Sequence, residues 1–371
     1  MKKILSIALV LTFALSVLAG CAAPAAAPAP APAPEAPAAP AAADGSIVKL
    51  GLGHITTIGK SADLGSKDGK EVLPLGQVDT VMAAVGFDKD GKVVSVTIDN
   101  AQTKVNFDNK LQVTSDLKAE NKTKVELGDA YGMKVASTIG KDWYQQIAEL
   151  EKWMVGKSVS EIKAMKTKEK DAAHPAVPDV AELTSLVTVS VEHYIGVVEE
   201  AFANAIDVTG GVKVGLGHEV DIAKSVGLGK NAEGKEVLPL AQVDTVMAAT
   251  AFDKDGKVVG TIIDNAQTKI NFDNTGKVTS DKKAEYPTKV ELKEGYGMVK
   301  ASTIGKEWYQ QADALGKWMV GKSVDEIKAM KTKAKDAAHP AVPDVAELTS
   351  LVTVSVEHYI AVVEEGFTKA K

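Results

Sequence analysis

The decapeptide ELTSLVTVSV occurs twice in this 371-residue chain, at Glu182–Val191 and at Glu347–Val356. Each copy carries one glutamate followed by a series of serine and threonine hydroxyls. Hydroxyl groups can bind an anion, and one of them can be the attachment point of a covalent group. A surface peptide has no packing reason to be repeated unchanged, so this segment is the first candidate for a functional site.

The other residues that often carry chemistry form no recognisable motif. The histidines occupy three duplicated positions, His54 with His218, His174 with His339, and His193 with His358. None has a second ligand at the spacing of a metal motif, and HExxH is absent. The GLGH sequences are too short for a dinucleotide fingerprint, and no P-loop or Gly-x-Ser-x-Gly occurs. The spacing therefore predicts no catalytic residue and no metal site.

The first 20 residues have the pattern of a secretion signal, with Lys2 and Lys3 before an apolar run. Leu18–Cys21 resembles the lipobox of bacterial lipoproteins, which implies cleavage before Cys21 and a lipid on that cysteine. Because Cys21 is the single cysteine, disulfides and iron–sulfur clusters are excluded. We therefore expect a signal peptide over residues 1–20 and a lipid-anchored protein on the extracytoplasmic face of the cell membrane.

Residues 21–45 are rich in proline and alanine, which predicts an extended spacer after the lipidated cysteine. Cleavage would remove Lys2 and Lys3 and change the formal charge from −6 to −8. The chain has no basic stripe, which argues against nucleic acid as a partner.

The rest of the chain is a tandem repeat. VDTVMAA begins at Val78 and Val243, and AHPAVPDVAELTSLVTVSVEHYI begins at Ala173 and Ala338, so both pairs differ by 165 (243 − 78 and 338 − 173). Each copy is long enough to bury a core of its own. We predict two homologous domains, residues 46–207 and 211–371.

Within a copy, the spacing of apolar residues predicts strands followed by helices. Two β-rich runs meet at Asp88–Gly91, which is a hairpin signal. Helical periodicity begins near Lys141, continues over Val159–Lys166 and ends with a long helix over Val180–Ala205, for which Asp179 is the expected N-cap. The predicted fold class is α+β, with an antiparallel sheet and covering helices in each of the two copies.

The β-branched residues around Thr188 are mildly unfavourable in a helix interior, which indicates that the last helix begins or bends there.

The repeated segment resembles the flavinylation motif of the FMN-binding domain family, Asp-x-x-Ser-Gly-Ala-Thr. Ser185 and Thr188 stand at the motif's serine and threonine, and Glu182 stands where the family has aspartate. Leucine and valine replace the motif's glycine and alanine, so the match rests on the two hydroxyl residues. In this family the threonine carries FMN through a phosphoester, which implies attachment at Thr188 and at Thr353.

Other residues would complete a flavin site. The sequence ASTIGK precedes a predicted helix in each copy and suits a phosphate or a ring carbonyl. Two tryptophans could stack on the isoalloxazine ring or could be core anchors. The candidate cofactor-binding residues are Glu182, Thr184, Ser185 and Thr188, their copies Glu347, Thr349, Ser350 and Thr353, and Ser137, Thr138, Trp143, Ser302, Thr303 and Trp308.

With the lipobox and the spacer, the whole chain looks like the tandem flavinylated lipoproteins of Gram-positive extracellular electron-transfer systems. The resemblance implies an electron carrier with two covalent FMN groups, each donated from FAD by a flavin transferase. A membrane quinol or an NADH-linked component would reduce it. Extracellular acceptors such as ferric iron or soluble flavin would oxidise it, which amounts to a ferric or flavin reductase activity rather than classical enzyme catalysis.

Two other functions fit the same sequence. A cofactor-free lipoprotein that binds a solute or a surface partner would gain avidity from duplication. A structural surface protein could use the same spacer, and a recent duplication would explain the repeated segment without any function. Colour separates these alternatives, because a covalent flavin absorbs blue light.

Overall fold

The computed structural model describes residues 47–371, so the predicted signal peptide, Cys21 and the spacer over residues 21–45 lie outside the described residues. The described part contains antiparallel sheets and eight α-helices, which confirms a mixed fold compatible with the α+β class. Within this part, no helix combines the length and the apolar content that crossing a bilayer requires.

The elements follow the same order in the two copies. The first copy contains β1 (Ile47–Thr57), β2 (Gly65–Lys67), β3 (Lys70–Val72), β4 (Leu75–Phe87), β5 (Val93–Asn106), α1 (Lys124–Leu127), α2 (Trp143–Met154), α3 (Val159–Lys163), β6 (Thr167–Lys168), β7 (Val177–Pro178), α4 (Glu192–Ala203) and then β8 (Ile206–Gly211). The second copy contains β9 (Lys213–Asp221), β10 (Gly229–Lys230), β11 (Glu236–Val237), β12 (Leu240–Phe252), β13 (Val258–Asn271), α5 (Lys289–Leu292), α6 (Trp308–Met319), α7 (Val324–Lys328), β14 (Thr332–Lys333), β15 (Val342–Pro343) and α8 (Glu357–Thr368). Short 3₁₀ segments follow α1 and α5, at Gly128–Tyr131, Met133–Val135, Lys293–Tyr296 and Met298–Lys300.

The predicted hairpin is present. β4 and β5 pair as antiparallel neighbours, and the carboxylate of Asp88 accepts hydrogen bonds from the backbone N–H groups of Asp90 and Lys92, both at 2.9 Å. Gly91 has a φ of 73°, a left-handed conformation that glycine adopts without strain. The first sheet has the strand order β5-β4-β1-β8, and the second has β13-β12-β9.

The two sheets pack face to face around a core to which both copies contribute. Successive side chains of a strand point to opposite faces, so Val78 and Met82 of β4 lie in this shared core with Met247 of β12. The neighbouring residues Val81 and Ala83 face the other way and pack against helices. The described residues therefore form one compact unit.

Each sheet has its own helical layer on the outer face. In the first copy, α2 and α4 bury Trp143, Ile147 and Tyr194 against β4 and β5. The corresponding residues of α6 and α8 do the same in the second copy. The layers therefore run from helices through two sheets to helices, and β8, at the predicted join between the copies, extends the first sheet by pairing with β1.

The predicted long helix over Val180–Ala205 is wrong in its first half. The helix begins only at Glu192, and residues 181–186 form turns. Asp179 caps no helix, since its carboxylate pairs with Lys168 at 2.8 Å. The β-branched segment around Thr188 has other partners for its backbone: the N–H of Val191, for example, donates to the carbonyl of Ala176 at 3.0 Å. Thr188 consequently lies in a loop before α4.

The glycines of GLGH serve packing. A Cβ atom on Gly51 would lie 2.0 Å from the carbonyl oxygen of Ala201, and one on Gly53 would lie 1.9 Å from that of Val197. Only glycine lets strand β1 approach α4 this closely. His54 follows on the same strand and is buried.

Candidate functional site

The threonine of the repeated segment is half-buried and anchored by one buried side chain. The backbone N–H of Thr188 donates to Gln146 Oε1 at 2.8 Å, and its hydroxyl lies 3.4 Å from the same atom. In the second copy, Thr353 makes the same two contacts with Gln311 at the same distances. The loop before the helix is therefore held by hydrogen bonds that leave the hydroxyl only weakly engaged.

Gln146 also connects the ASTIGK segment to the ELTSLVTVSV segment. Its Nε2 group donates to the carbonyl of Lys141 at 3.1 Å and to the hydroxyl of Ser137 at 3.3 Å. Gln311 contacts Lys306 and Ser302 in the same way. The ASTIGK loop and the ELTSLVTVSV loop thus meet through one amide, as a shared site requires.

Gln146 and Gln311 were not among the predicted site residues. The signal was present in the sequence, because Gln146 follows Trp143 by three positions and precedes Leu150 by four, on the apolar face of a predicted helix. A polar residue on such a face needs a buried partner.

The remaining hydroxyls and acids of the motif lie at the surface. Thr184 is exposed, and its hydroxyl donates to the carbonyl of Ala181 at 3.4 Å. The other candidates that share this exposure are Glu182, Ser185, Thr138, Glu347, Thr349, Ser350 and Thr303. Within the described residues, these side chains make no hydrogen bond to the hydroxyl of Thr188 or Thr353.

The predicted tryptophans lie inside the protein. Trp143 and Trp308 are 1% and 2% exposed, and each indole N–H donates to a tyrosine hydroxyl, of Tyr194 or Tyr359, at 2.9 Å. The rings meet those of the tyrosines edge to face. The sequence left open whether these tryptophans stack on a flavin or anchor the core, and their burial corresponds to core anchors. Trp308 also lines a cleft.

This cleft, of about 450 Å³, opens beside the residues that follow Thr353. Its volume lies within the ~300–1,000 Å³ that small-ligand sites usually have. The lining includes Val354, Ser355, Lys289, Tyr296, Trp308 and His339. Aromatic, cationic and hydroxyl groups therefore converge beside the two residues that follow the motif threonine, although Thr353 itself does not line the cleft.

Lys289 is the main electrostatic feature of the cleft. It is 7% exposed, and its ammonium lies 5.0 Å and 5.2 Å from the ring centroids of Tyr296 and Trp308. Burial lowers the pKa of Lys289 to about 8, although Asp244 partly opposes this shift. Lys124 has the same environment in the first copy, and its pKa is also lowered to about 8 by burial.

Unpaired buried acceptors also face the cleft. Asp244 Oδ1, Asn265 Oδ1 and Glu357 Oε2 are buried and have no hydrogen-bond partner among the described residues. Such atoms cost free energy unless a ligand or water supplies donors. A ligand that offers hydrogen-bond donors to these acceptors and an anionic group to the buried ammonium would satisfy both.

The surface histidines have simpler surroundings. His174 and His339 each lie 2.7 Å from an aspartate three residues earlier, and His358 lies 2.8 Å from Glu219. His193 is exposed. His54 and His218 are different, because both are buried among carboxylates.

Comparison with known proteins adds little. A stretch of 40 residues is 48% identical to a chlorophenol reductase of Desulfitobacterium hafniense, which covers 11% of this chain and 12% of that protein. The chain thus spans about an eighth of the curated relative it matches. No protein-family model and no solved structure matches the chain.

Proposed function

We propose that this protein is a membrane-tethered electron carrier with one FMN on each of Thr188 and Thr353. The proposal rests on a combination of groups found beside Thr353. The threonine hydroxyl is weakly engaged, and the two residues that follow it line a cleft with a buried lysine and buried acceptors that have no partner among the described residues. The same threonine, glutamine and lysine recur around Thr188, which supports two homologous halves with one flavin each.

Attachment requires an accessible hydroxyl and a separate flavin transferase. The O–H bond of Thr188 and the pyrophosphate P–O bond of FAD break, an Oγ1–P bond forms, and AMP leaves while the proton passes to solvent. Gln146 Oε1, 3.4 Å from the hydroxyl, can receive its hydrogen bond and orient it. The loop conformation, fixed by the shorter backbone contact at 2.8 Å, presents the oxygen without placing it inside a helix.

The protein's part in electron transfer is electrostatic and positional. When bound, FMN accepts and releases one or two electrons. Lys289 would place a positive charge in a poorly solvated cleft, where an anionic group is stabilised far more than in water. Tyr296 would cover apolar ring surface. A covalent link keeps the cofactor on the protein outside the cell, where a dissociated flavin would be lost by dilution.

The remaining parts of the proposal concern partners and location. A lipid on Cys21 would tether the chain to the outer face of the cell membrane. Electrons would come from a membrane quinol or an NADH-linked donor and would pass to extracellular acceptors such as ferric iron. No nucleic-acid partner is proposed, since the formal charge is negative.

The test is mass spectrometry of protein released from its native membrane. Two FMN groups should add ~438 Da each, one on each ELTSLVTVSV peptide. Thr188→Ala should remove one group, and the double variant with Thr353→Ala should remove both, together with yellow colour and surface iron reduction. Folding should survive, because within residues 47–371 each hydroxyl makes a single long hydrogen bond, at 3.4 Å.

The matched control is the pair Thr184→Ala and Thr349→Ala. These threonines belong to the same motif, but they are exposed, and among the described residues their hydroxyls bond only to the carbonyls of Ala181 and Ala346. The control should keep both flavins. Unmodified peptides from native membranes, or iron reduction that persists in the Thr188→Ala, Thr353→Ala protein, would refute the electron-carrier role and favour a cofactor-free binding lipoprotein.

A further inference from the structure

His54 lies in a cluster of carboxylates that comes from both copies. Its Nε2 atom is 3.4 Å from Glu200 Oε1, 3.5 Å from Glu291 Oε2 and 3.9 Å from Asp264 Oδ2. Glu200 belongs to α4 of the first copy, whereas Asp264 and Glu291 belong to β13 and α5 of the second. Ligand atoms of His54, Glu200 and Glu291 all lie within 4.8 Å of one another.

The histidine is buried but incompletely satisfied. His54 is 6% exposed, and its Nδ1 atom has no hydrogen-bond partner among the described residues. Together with Glu200, Asp264 and Glu291 it lines a cleft of about 620 Å³, which is separate from the cleft beside Thr353. A small ion can therefore reach the cluster from solvent.

The second copy of this cluster contains a resident cation. His218 Nε2 lies 3.1 Å from Asp99 Oδ2, and Glu126 and Glu365 complete the set. Here the ammonium of Lys369 contacts Glu365 and lies 3.6 Å from Glu126. The second cluster thus neutralises its carboxylates with its own lysine.

The first cluster has no such lysine. The residue equivalent to Lys369 is Asn204 (369 − 165 = 204), which lines the cleft at His54. Lys293 lines the same cleft, but no ion pair within 4 Å joins it to these carboxylates in residues 47–371. Three carboxylates and one imidazole therefore remain without a matching cation.

We infer that the His54 cluster binds one divalent first-row transition-metal ion per chain, through His54 Nε2, Glu200 and Glu291. Imidazole and carboxylate together suit zinc or manganese. In a tetrahedral site with bonds of ~2.0 Å, neighbouring ligand atoms lie about 3.3 Å apart, close to the 3.4 Å and 3.5 Å found here. Sequence spacing gave no sign of this site because the ligands lie far apart in the chain. Asp264 adds charge behind the ligands while it accepts hydrogen bonds from Thr288 and Val290.

The test is calorimetric titration of the full-length chain, without a histidine tag and after chelator dialysis, with ZnCl₂ and separately with MnCl₂. The Thr188→Ala, Thr353→Ala background keeps the measurement independent of flavin. One site per chain should appear. His54→Ala and Asn204→Lys should each weaken it at least 100-fold, the latter by supplying the ammonium that the second copy already has.

Asn204→Lys should fold normally, because Asn204 is exposed at the end of α4; thermal melting checks this. Glu169→Gln, an exposed acid elsewhere, should leave metal binding unchanged. The inference is overturned if neither metal binds, or if binding is the same in His54→Ala and Asn204→Lys as in the parent. A parallel titration with MgCl₂ checks the class of metal, and tighter binding of Mg²⁺ than of either probe would overturn the assignment to a transition metal.

Discussion

Replacing Lys289, the buried lysine of the cleft beside Thr353, should make the flavin-free protein more stable. Lys289 is 7% exposed and has no carboxylate within ion-pair distance among the described residues. A buried, unpaired ammonium lowers the stability of the folded protein. Its presence is explained if a ligand needs the positive charge. Lys289→Met retains a long apolar side chain and removes the charge.

The expected size of the effect follows from the pKa. A lysine with a pKa of 10.5 in the unfolded chain and about 8 in the folded protein destabilises the fold by ~3 kcal/mol at pH 7. The variant also loses cation–π contacts at 5.0 Å and 5.2 Å, worth about 1 kcal/mol together. We therefore expect Lys289→Met to raise the free energy of unfolding by about 2 kcal/mol at pH 7.

The sign of the pH dependence is fixed by proton counting. Between pH 8 and pH 10.5 the unfolded chain binds more protons at this lysine than the folded protein, so the parent gains stability as pH rises. The advantage of the variant should shrink through this interval and disappear above it. Urea unfolding of both proteins at pH 7 and at several higher pH values measures the difference, and Lys124→Met should behave alike. A variant that is less stable at pH 7, or whose effect does not change with pH, would refute the reasoning.

Three further substitutions test the glutamine bridges and the close packing of β1 against α4. Gln146→Leu leaves the N–H of Thr188 and the carbonyl of Lys141 without their partner and should lower the free energy of unfolding by about 1–3 kcal/mol in urea titrations. Gln311→Leu should have an effect of the same size. A change below about 0.5 kcal/mol in both variants would contradict the bridging role of the two glutamines. Gly53→Ala would place a Cβ 1.9 Å from the carbonyl of Val197 and should cost about 1–3 kcal/mol. Its control is Gly65→Ala, which has open space around it and should change stability by less than ~0.5 kcal/mol.

Local sequence patterns predicted the local structure well. The hairpin signal at Asp88–Gly91 and the helical periodicity from Trp143 both correspond to elements of the structure. The prediction of a long helix over Val180–Ala205 was wrong because the spacing of apolar residues gives no information about distant hydrogen-bond partners that compete with the helix. The N–H of Thr188 bonds to Gln146, which is 42 positions away. The β-branched residues around Thr188 were the one local sign of this interruption.

Long-range features were harder to predict, although one signal was available. Val81–Val85 is a continuous apolar run, which is typical of a strand buried on both faces. In the structure one face of β4 meets helices and the other meets the second copy. The His54 cluster had no such signal, since its ligands come from different copies and only the packing of the sheets brings them together.

Helix α5 connects the two proposed sites physically. It has four residues, of which the first, Lys289, faces the cleft beside the motif, and the third, Glu291, faces His54 of the first copy. A helix this short has no stability of its own, so its position depends on the contacts at its ends. Asp264 fixes its first turn through hydrogen bonds and lies 3.9 Å from His54 Nε2. A cation bound at the cluster would therefore restrain the same helix that presents the ammonium to the cleft, and the histidine of the first copy would influence the flavin site of the second.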